Sequence, residues 1–150
     1  MMRSTLKKWY KFQQKQQSQK FDSHWYMRFG WLNEPLKNQD QLKTLFEIHS
    51  PRKFTFAACF YAQEGDRHFI FFEEVDDRHP VGFLSVVEVF KDGRYSEPQT
   101  ILKLDSHLSY PCVFKIANNW YMIPETSAKK TIELWKCTEF PLQWEKHFNL

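Results

Sequence analysis

The side chains in this sequence that could do chemistry are three glutamates, Glu73, Glu74 and Glu125, and the polar turn His107-Leu108-Ser109-Tyr110-Pro111. Glu73 ends the apolar run Phe69-Ile70-Phe71-Phe72, and Glu125 ends Tyr121-Met122-Ile123-Pro124. Two carboxylates about 5 to 10 Å apart are what glycoside hydrolysis usually needs, one to protonate the leaving oxygen and one to attack or to activate water. Glu73 and Glu125 are the pair for that role. The same carboxylates also accept hydrogen bonds from sugar hydroxyls or from backbone N–H groups at strand ends, and the structural use carries the most weight. His107 has the chemistry to bind a polar ligand or to titrate near neutrality, although a lone turn histidine is more often a satisfied hydrogen-bonding residue. Ser109 has no His-Asp partners in a nucleophile-type motif, so serine-hydrolase chemistry is excluded. Tyr110 and Trp120 present flat faces of the kind that stack on sugar rings, with packing between sheets as the commoner use.

Other chemistries find no support. The four glycines, Gly30, Gly65, Gly82 and Gly93, stand apart from one another, so there is no phosphate-cradling loop. Neither HExxH nor an EF-hand pattern occurs. Asp76-Asp77 beside His79 and the pair Lys129-Lys130 read as solvated loop charge, so no metal site and no cofactor is expected. Cys59, Cys112 and Cys137 are odd in number, lack a CxxC pair and sit in apolar runs, which predicts buried, reduced thiols.

The elements that would position these residues are strands. With 15 Phe, 6 Tyr and 6 Trp, aromatics make up 18% of the 150 residues, which favours pleated sheet and predicts an all-β class. Strands are expected where Trp25, Met27, Phe29 and Trp31 alternate with Tyr26 and Arg28, over 54–61, over 68–74 after the Glu64-Gly65-Asp66 turn, over 82–89, and from Arg94-Tyr95 to Ile101-Leu102. Residues 33–53 read as loop with one short element.

The second half repeats the first. Cys59-Phe60-Tyr61 falls over Cys112-Val113-Phe114, Phe69 to Glu73 over Tyr121 to Glu125, Phe83-Leu84-Ser85-Val86 over Ile132-Glu133-Leu134-Trp135, and Tyr95 over Trp144, at offsets of 49 to 53 residues. A period near 50 with about four short strands marks a β-propeller blade. One blade exposes two apolar faces and needs neighbours on both. The predicted fold is therefore an incomplete propeller over residues 23–150: two four-stranded blades with the Trp25–Trp31 segment as candidate closing strand. A ring of four or more blades at this period needs roughly 200 residues or more. The expectation is a homo-oligomer or a partner chain that supplies the missing blades, a truncated piece of a larger propeller, or a small open β-sheet structure.

Charge separates an N-terminal arm from this body. Net charge is +3, but residues 1–22 hold Arg3, Lys7, Lys8, Lys11, Lys15 and Lys20, and without those six the chain keeps 15 basic against 18 acidic residues. Basicity thus belongs to a polar arm, read as solvated and not as a nucleic-acid site. No apolar run reaches the ~18 residues of a membrane span, and lysines interrupt any signal-peptide core, so a cytoplasmic chain is expected.

Four motifs in register, Phe71-Phe72-Glu73-Glu74, His107 to Pro111, Tyr121 to Thr126 and Phe140-Pro141-Leu142-Gln143-Trp144, resemble the N-terminal domain of glucosamine inositolphosphorylceramide transferase and its bacterial relatives. The resemblance spans about residues 54–145 and implies a five-bladed propeller similar to those of arabinanase-type and invertase-type glycoside hydrolases, acting on sugars or sugar-bearing molecules. In the plant transferase, the resemblance implies, sugar transfer resides in a separate C-terminal domain. The hydrolase cousins carry an aspartate on the inner strand of each of the first two blades; here those places read Ala57-Ala58-Cys59 and Ser109-Tyr110-Pro111. The resulting reading is a carbohydrate-recognition or accessory module of a glycan-modifying system without its own catalytic centre. Sugar contacts are expected from His107, Ser109, Tyr110, Glu73, Glu74, Glu125 and Trp120. The rival reading is a divergent propeller glycosidase or transferase that uses Glu73 and Glu125.

Overall fold

The computed structural model describes residues 25–149, apart from 33 and 36. The basic arm over residues 1–22 lies outside the described residues. What is described is all-β, as expected, and antiparallel throughout.

Two four-stranded meanders make up most of it. The first runs β3 (Phe54–Glu64), β4 (Arg67–Asp76), β5 (His79–Val89) and β6 (Gln99–Leu102), and the second β7 (Ser109–Ile116), β8 (Asn119–Glu125), β9 (Glu133–Glu139) and β10 (Gln143–Asn149). A smaller sheet pairs β1 (Tyr26–Phe29) with β2 (Phe46–His49). Between them lies a 3-10 helix, Gln39–Thr44, started by a capping box in which the Asn38 side chain accepts from the Asp40 and Gln41 amides.

The three sheets stack in chain order with the first meander in the middle. Met27, Phe29 and Ile48 cover one of its faces at Phe56, Ile70 and Phe72. Its other face, with Phe69, Phe71, Leu84 and Val86, packs on Val113, Met122, Trp135 and Trp144 of the second meander. Burial on both faces explains the unbroken apolar run of β4, since a strand with one wet face would alternate. Strand β8 does alternate: Trp120, Met122 and Pro124 are buried, whereas Tyr121 and Ile123 are half-buried and Glu125 is exposed.

Strand pairing sharpens the repeat. A bulge in β3 sets Ala58 at φ 47 between the pairs Ala57↔Glu73 and Phe60↔Phe71, and a bulge in β7 sets Tyr110 at φ 44 between Ser109↔Glu125 and Cys112↔Ile123. The hairpin turns match as well, with Gly65 at φ 59 and Ala117 at φ 51. Through this hairpin the offset is uniformly 52, so Cys112 is the counterpart of Phe60, one residue from the match expected with Cys59. In the third strands, Ile70↔Val87 and Met122↔Trp135 make Ser85 the counterpart of Glu133. That too is one place from the expected match, and it matters because a one-residue slip exchanges the two faces of a strand. The match of Tyr95 with Trp144 agrees with the pairing, because Tyr95 bridges Val89 as Trp144 pairs with Cys137.

Two further expectations change. Strand β1 pairs with β2 and joins neither four-stranded sheet; Trp25 and Trp31 lie outside it and are exposed. Cys59 and Cys112 are exposed and Cys137 is half-buried, so the thiols are free but not enclosed. Cys59 follows the bulge residue, and Cys112 lies on the wet face of β7. Only Cys137 reaches the core, where burial pushes its thiol up to about 11.

Candidate functional site

Glu73 lies within β4, which runs on to Asp76, on the face turned to the second meander, and it is 8% exposed. The Ser109 hydroxyl donates to its Oε2, and the His107 Nε2 lies 2.9 Å from its Oε1. The Gly82 amide donates to His107 Nδ1 at 2.9 Å, which fixes the ring proton on Nε2 and makes His107 the donor to Glu73. Gly82 also accepts from the Leu108 amide at 2.9 Å. A carboxylate from one sheet is thus gripped by the segment that leads into the next. Both carboxylate oxygens and both ring nitrogens are engaged, so this group is a clasp between sheets. Ser109 and His107 meet the same carboxylate and not each other, which leaves the serine without a base.

Gly82 makes the clasp fit. A Cβ there would stand 2.6 Å from the Leu108 carbonyl oxygen, 2.8 Å from Glu73 Oε1 and 2.8 Å from His107 Cε1. Sequence reasoning passed over this residue. The available signal was a lone glycine inside a strand pattern, which marks close backbone approach.

Glu125 is the counterpart of Glu73 in the second meander. It lies directly across from Ser109, is exposed, and has no hydrogen-bonding or ionic partner among the described residues. Beside it Tyr110 is 57% exposed. Its left-handed backbone, which costs a non-glycine residue on the order of 1 kcal/mol, is the bulge that turns the side chain outward. Tyr110, Cys112, Ile123, Glu125, Lys130 and Ile132 line an open hollow of about 720 Å³.

The other expected contacts lie elsewhere. Glu74 points to the opposite face from Glu73, where the Ser85 hydroxyl donates to it at 2.7 Å and burial raises its carboxyl above the usual range. Trp120 is buried at the far end of β8, stacked on Phe140 at 4.5 Å, with its Nε1 donating to Glu64 at 3.1 Å. Lys115 meets the same Glu64 oxygen at 2.6 Å and forms a second tie between the meanders. One buried carboxylate was not foreseen. Burial works to raise Glu133, 2% exposed, but Lys146 at 2.8 Å and Lys129 at 3.7 Å outweigh it and hold the group below its usual range.

Among the described residues no helix is long and apolar enough to cross a membrane, and no group of three or more His, Cys, Asp or Glu residues is placed to hold a metal ion.

Sheets of one repeating plan, stacked in order and ending on a free carboxylate beside an outward tyrosine, define a stacked-sheet repeat domain. The family described as "Glucosamine inositolphosphorylceramide transferase 1, N-terminal" matches residues 42–149, and the chain belongs to that family. It is 38% identical over 95 residues to glucosamine inositolphosphorylceramide transferase 1 of Oryza sativa subsp. japonica, a stretch covering 63% of this chain and 13% of that protein. The protein of the same name from Arabidopsis thaliana is 30% identical over 96 residues, 63% of this chain and 12% of its own length. The chain therefore spans about an eighth of the length of these relatives. No solved structure matches it.

Proposed function

We propose that this domain is the sugar-recognising accessory module of a glycan-modifying system, built as a segment of a propeller ring, and that it holds a sugar in the hollow beside Tyr110 and Glu125. One observation carries this reading: the same carboxylate position occurs twice, once satisfied and once free. Glu73 takes one hydroxyl donor and one N–H donor. Glu125 presents the same acceptor to solvent, with an aromatic face beside it, and a sugar bearing hydroxyl and amino groups offers those donors. The relatives' name joins glucosamine to inositolphosphorylceramide, and glucosamine has both kinds of donor. With Glu73 saturated, a two-carboxylate hydrolytic mechanism lacks its second free group, which favours recognition over catalysis.

Titrating the protein with glucosamine and with glucose, followed by NMR chemical-shift changes, tests this. Glucosamine should bind more tightly than glucose, and Tyr110→Ala or Glu125→Gln should each weaken it about tenfold, the equivalent of about 1.4 kcal/mol. Binding that neither substitution alters, or no binding of either sugar, would contradict the assignment.

A further inference from the structure

We propose that the cleft between the β1–β2 sheet and the first meander, close to the Gly65 turn, is a second carbohydrate site that takes one uncharged hexose ring against Trp31 and Tyr61, with His68 accepting from a sugar hydroxyl. It shares no lining residue with the hollow beside Tyr110 and does not rest on that reading.

Phe29, Gly30, Trp31, Tyr61, Ile70 and Val89 line this cleft of about 200 Å³. Phe29, Ile70 and Val89 are buried, whereas Trp31 is 39% and Tyr61 57% exposed, so two aromatic rings stand in water above an apolar floor. Flat stacking on the Trp31 indole is unused by its neighbours: Phe29 and His68 both meet it nearly perpendicular, at 82° and 79°. A sugar ring covers such a face with its C–H groups. The space is below the roughly 300 Å³ at which pockets begin to take drug-sized ligands, and it suits a single ring. No charged side chain lines it among the described residues, which favours a neutral ligand over an ion.

The polar contact comes from His68, which is 9% exposed and lies against both rings. The Gln63 amide nitrogen donates to the Gly65 carbonyl at 2.8 Å, which turns Oε1 of Gln63 to the Tyr61 hydroxyl 3.1 Å away. Tyr61 has one proton and gives it to that oxygen, so the hydroxyl oxygen accepts from His68 Nδ1 at 2.8 Å. This relay holds the ring proton on Nδ1 and leaves Nε2 as an acceptor, without a partner among the described residues. It is the reverse of His107, whose Nδ1 accepts and whose Nε2 donates. A hydroxyl is the donor that such a nitrogen takes without bringing a charge into the cleft.

NMR on the isotope-labelled full chain tests the relay and the site together. Long-range proton–nitrogen correlation should find neutral His68 protonated at Nδ1 and neutral His107 at Nε2; the same tautomer at both overturns the relay and the proposal with it. Titration with methyl β-glucoside should shift the Trp31 indole N–H and the Val89 amide. Read at Val89, Trp31→Ala should weaken binding at least tenfold, and Tyr61→Phe, which keeps the ring and breaks the relay, at least threefold. Glucosamine, with its charged amine, should bind in this cleft no more tightly than the glucoside. That is the opposite order from the hollow, and Tyr110→Ala should leave the Val89 titration unchanged, so failure of either proposal is visible without the other. Signals at Trp31 and Val89 that do not move, or binding that survives either Trp31→Ala or Tyr61→Phe, overturn the proposal. A Trp31 signal that ignores the glucoside and shifts when residues 1–22 are removed assigns the cleft to the basic arm and overturns it as well.

Discussion

Phe71 and Ile123 hold the same place in two sheets of one plan, and Glu73 and Glu125 are matching positions further along the same two strands. In the first sheet the pair is sealed: Phe71 has no exposed surface, and Glu73 is gripped by Ser109 and His107. In the second, Ile123 is half-buried and Glu125 stands free. In each strand an apolar run leads into the same glutamate, so the difference comes from what lies next to it. A carboxylate in this position is a structural clasp when a neighbouring sheet brings a hydroxyl and an imidazole, and a binding group when none does.

The largest effect should come from the apolar row. Phe71→Ala leaves a cavity between two sheets and should cost about 3–5 kcal/mol in urea unfolding, whereas Ile123→Ala, with water already on one side, should cost less than ~1.5 kcal/mol. Gly82→Ala comes next. Its Cβ would press on backbone and on both clasp side chains, and a loss of about 1–3 kcal/mol is expected in the same assay. His107→Ala in that background should lose little more, because the clasp is then already open.

Much of this organisation was legible in the residues, for identifiable reasons. The apolar runs of β4 and β8 and the Glu64-Gly65-Asp66 turn revealed a repeated hairpin, because period-2 patterning and turn chemistry are local. The register was one residue off at Cys59 and again at Leu84. Each bulge inserts a residue that no periodicity announces, and Ala58 and Tyr110 show no glycine to mark the left-handed backbone. The exposure of Cys59 and Cys112 ran against expectation because an apolar run does not tell which of its faces finds a neighbour. His107, Ser109 and Glu73 were picked for their chemistry, but their meeting depends on two sheets packing. Glu74, adjacent in sequence, falls on the other face and meets Ser85 instead.

The smallest effects concern pH and contrast two carboxylates within the first sheet. Burial raises the Glu74 carboxyl, so the folded state holds its proton more firmly than the unfolded chain does. Stability from this group therefore falls as pH rises from the usual carboxylate value through the raised one, and Glu74→Gln should remove that slope. At Asp76 the Arg78 guanidinium, 2.7 Å away, depresses the carboxyl. Its contribution is present above the usual carboxylate value and is lost as pH falls below it, so Asp76→Asn should flatten the acid limb. Thermal midpoints across about pH 3 to 7 read both slopes.

The most direct measurement compares the two glutamates themselves by equilibrium unfolding of Glu73→Ala and Glu125→Ala at neutral pH. Removing Glu73 strands a buried hydroxyl and an imidazole donor and should cost about 1–3 kcal/mol. Removing Glu125 should change stability by no more than ~0.5 kcal/mol, as for any exposed side chain without a partner. Equal losses at the two positions would contradict the account of one clasped and one free carboxylate.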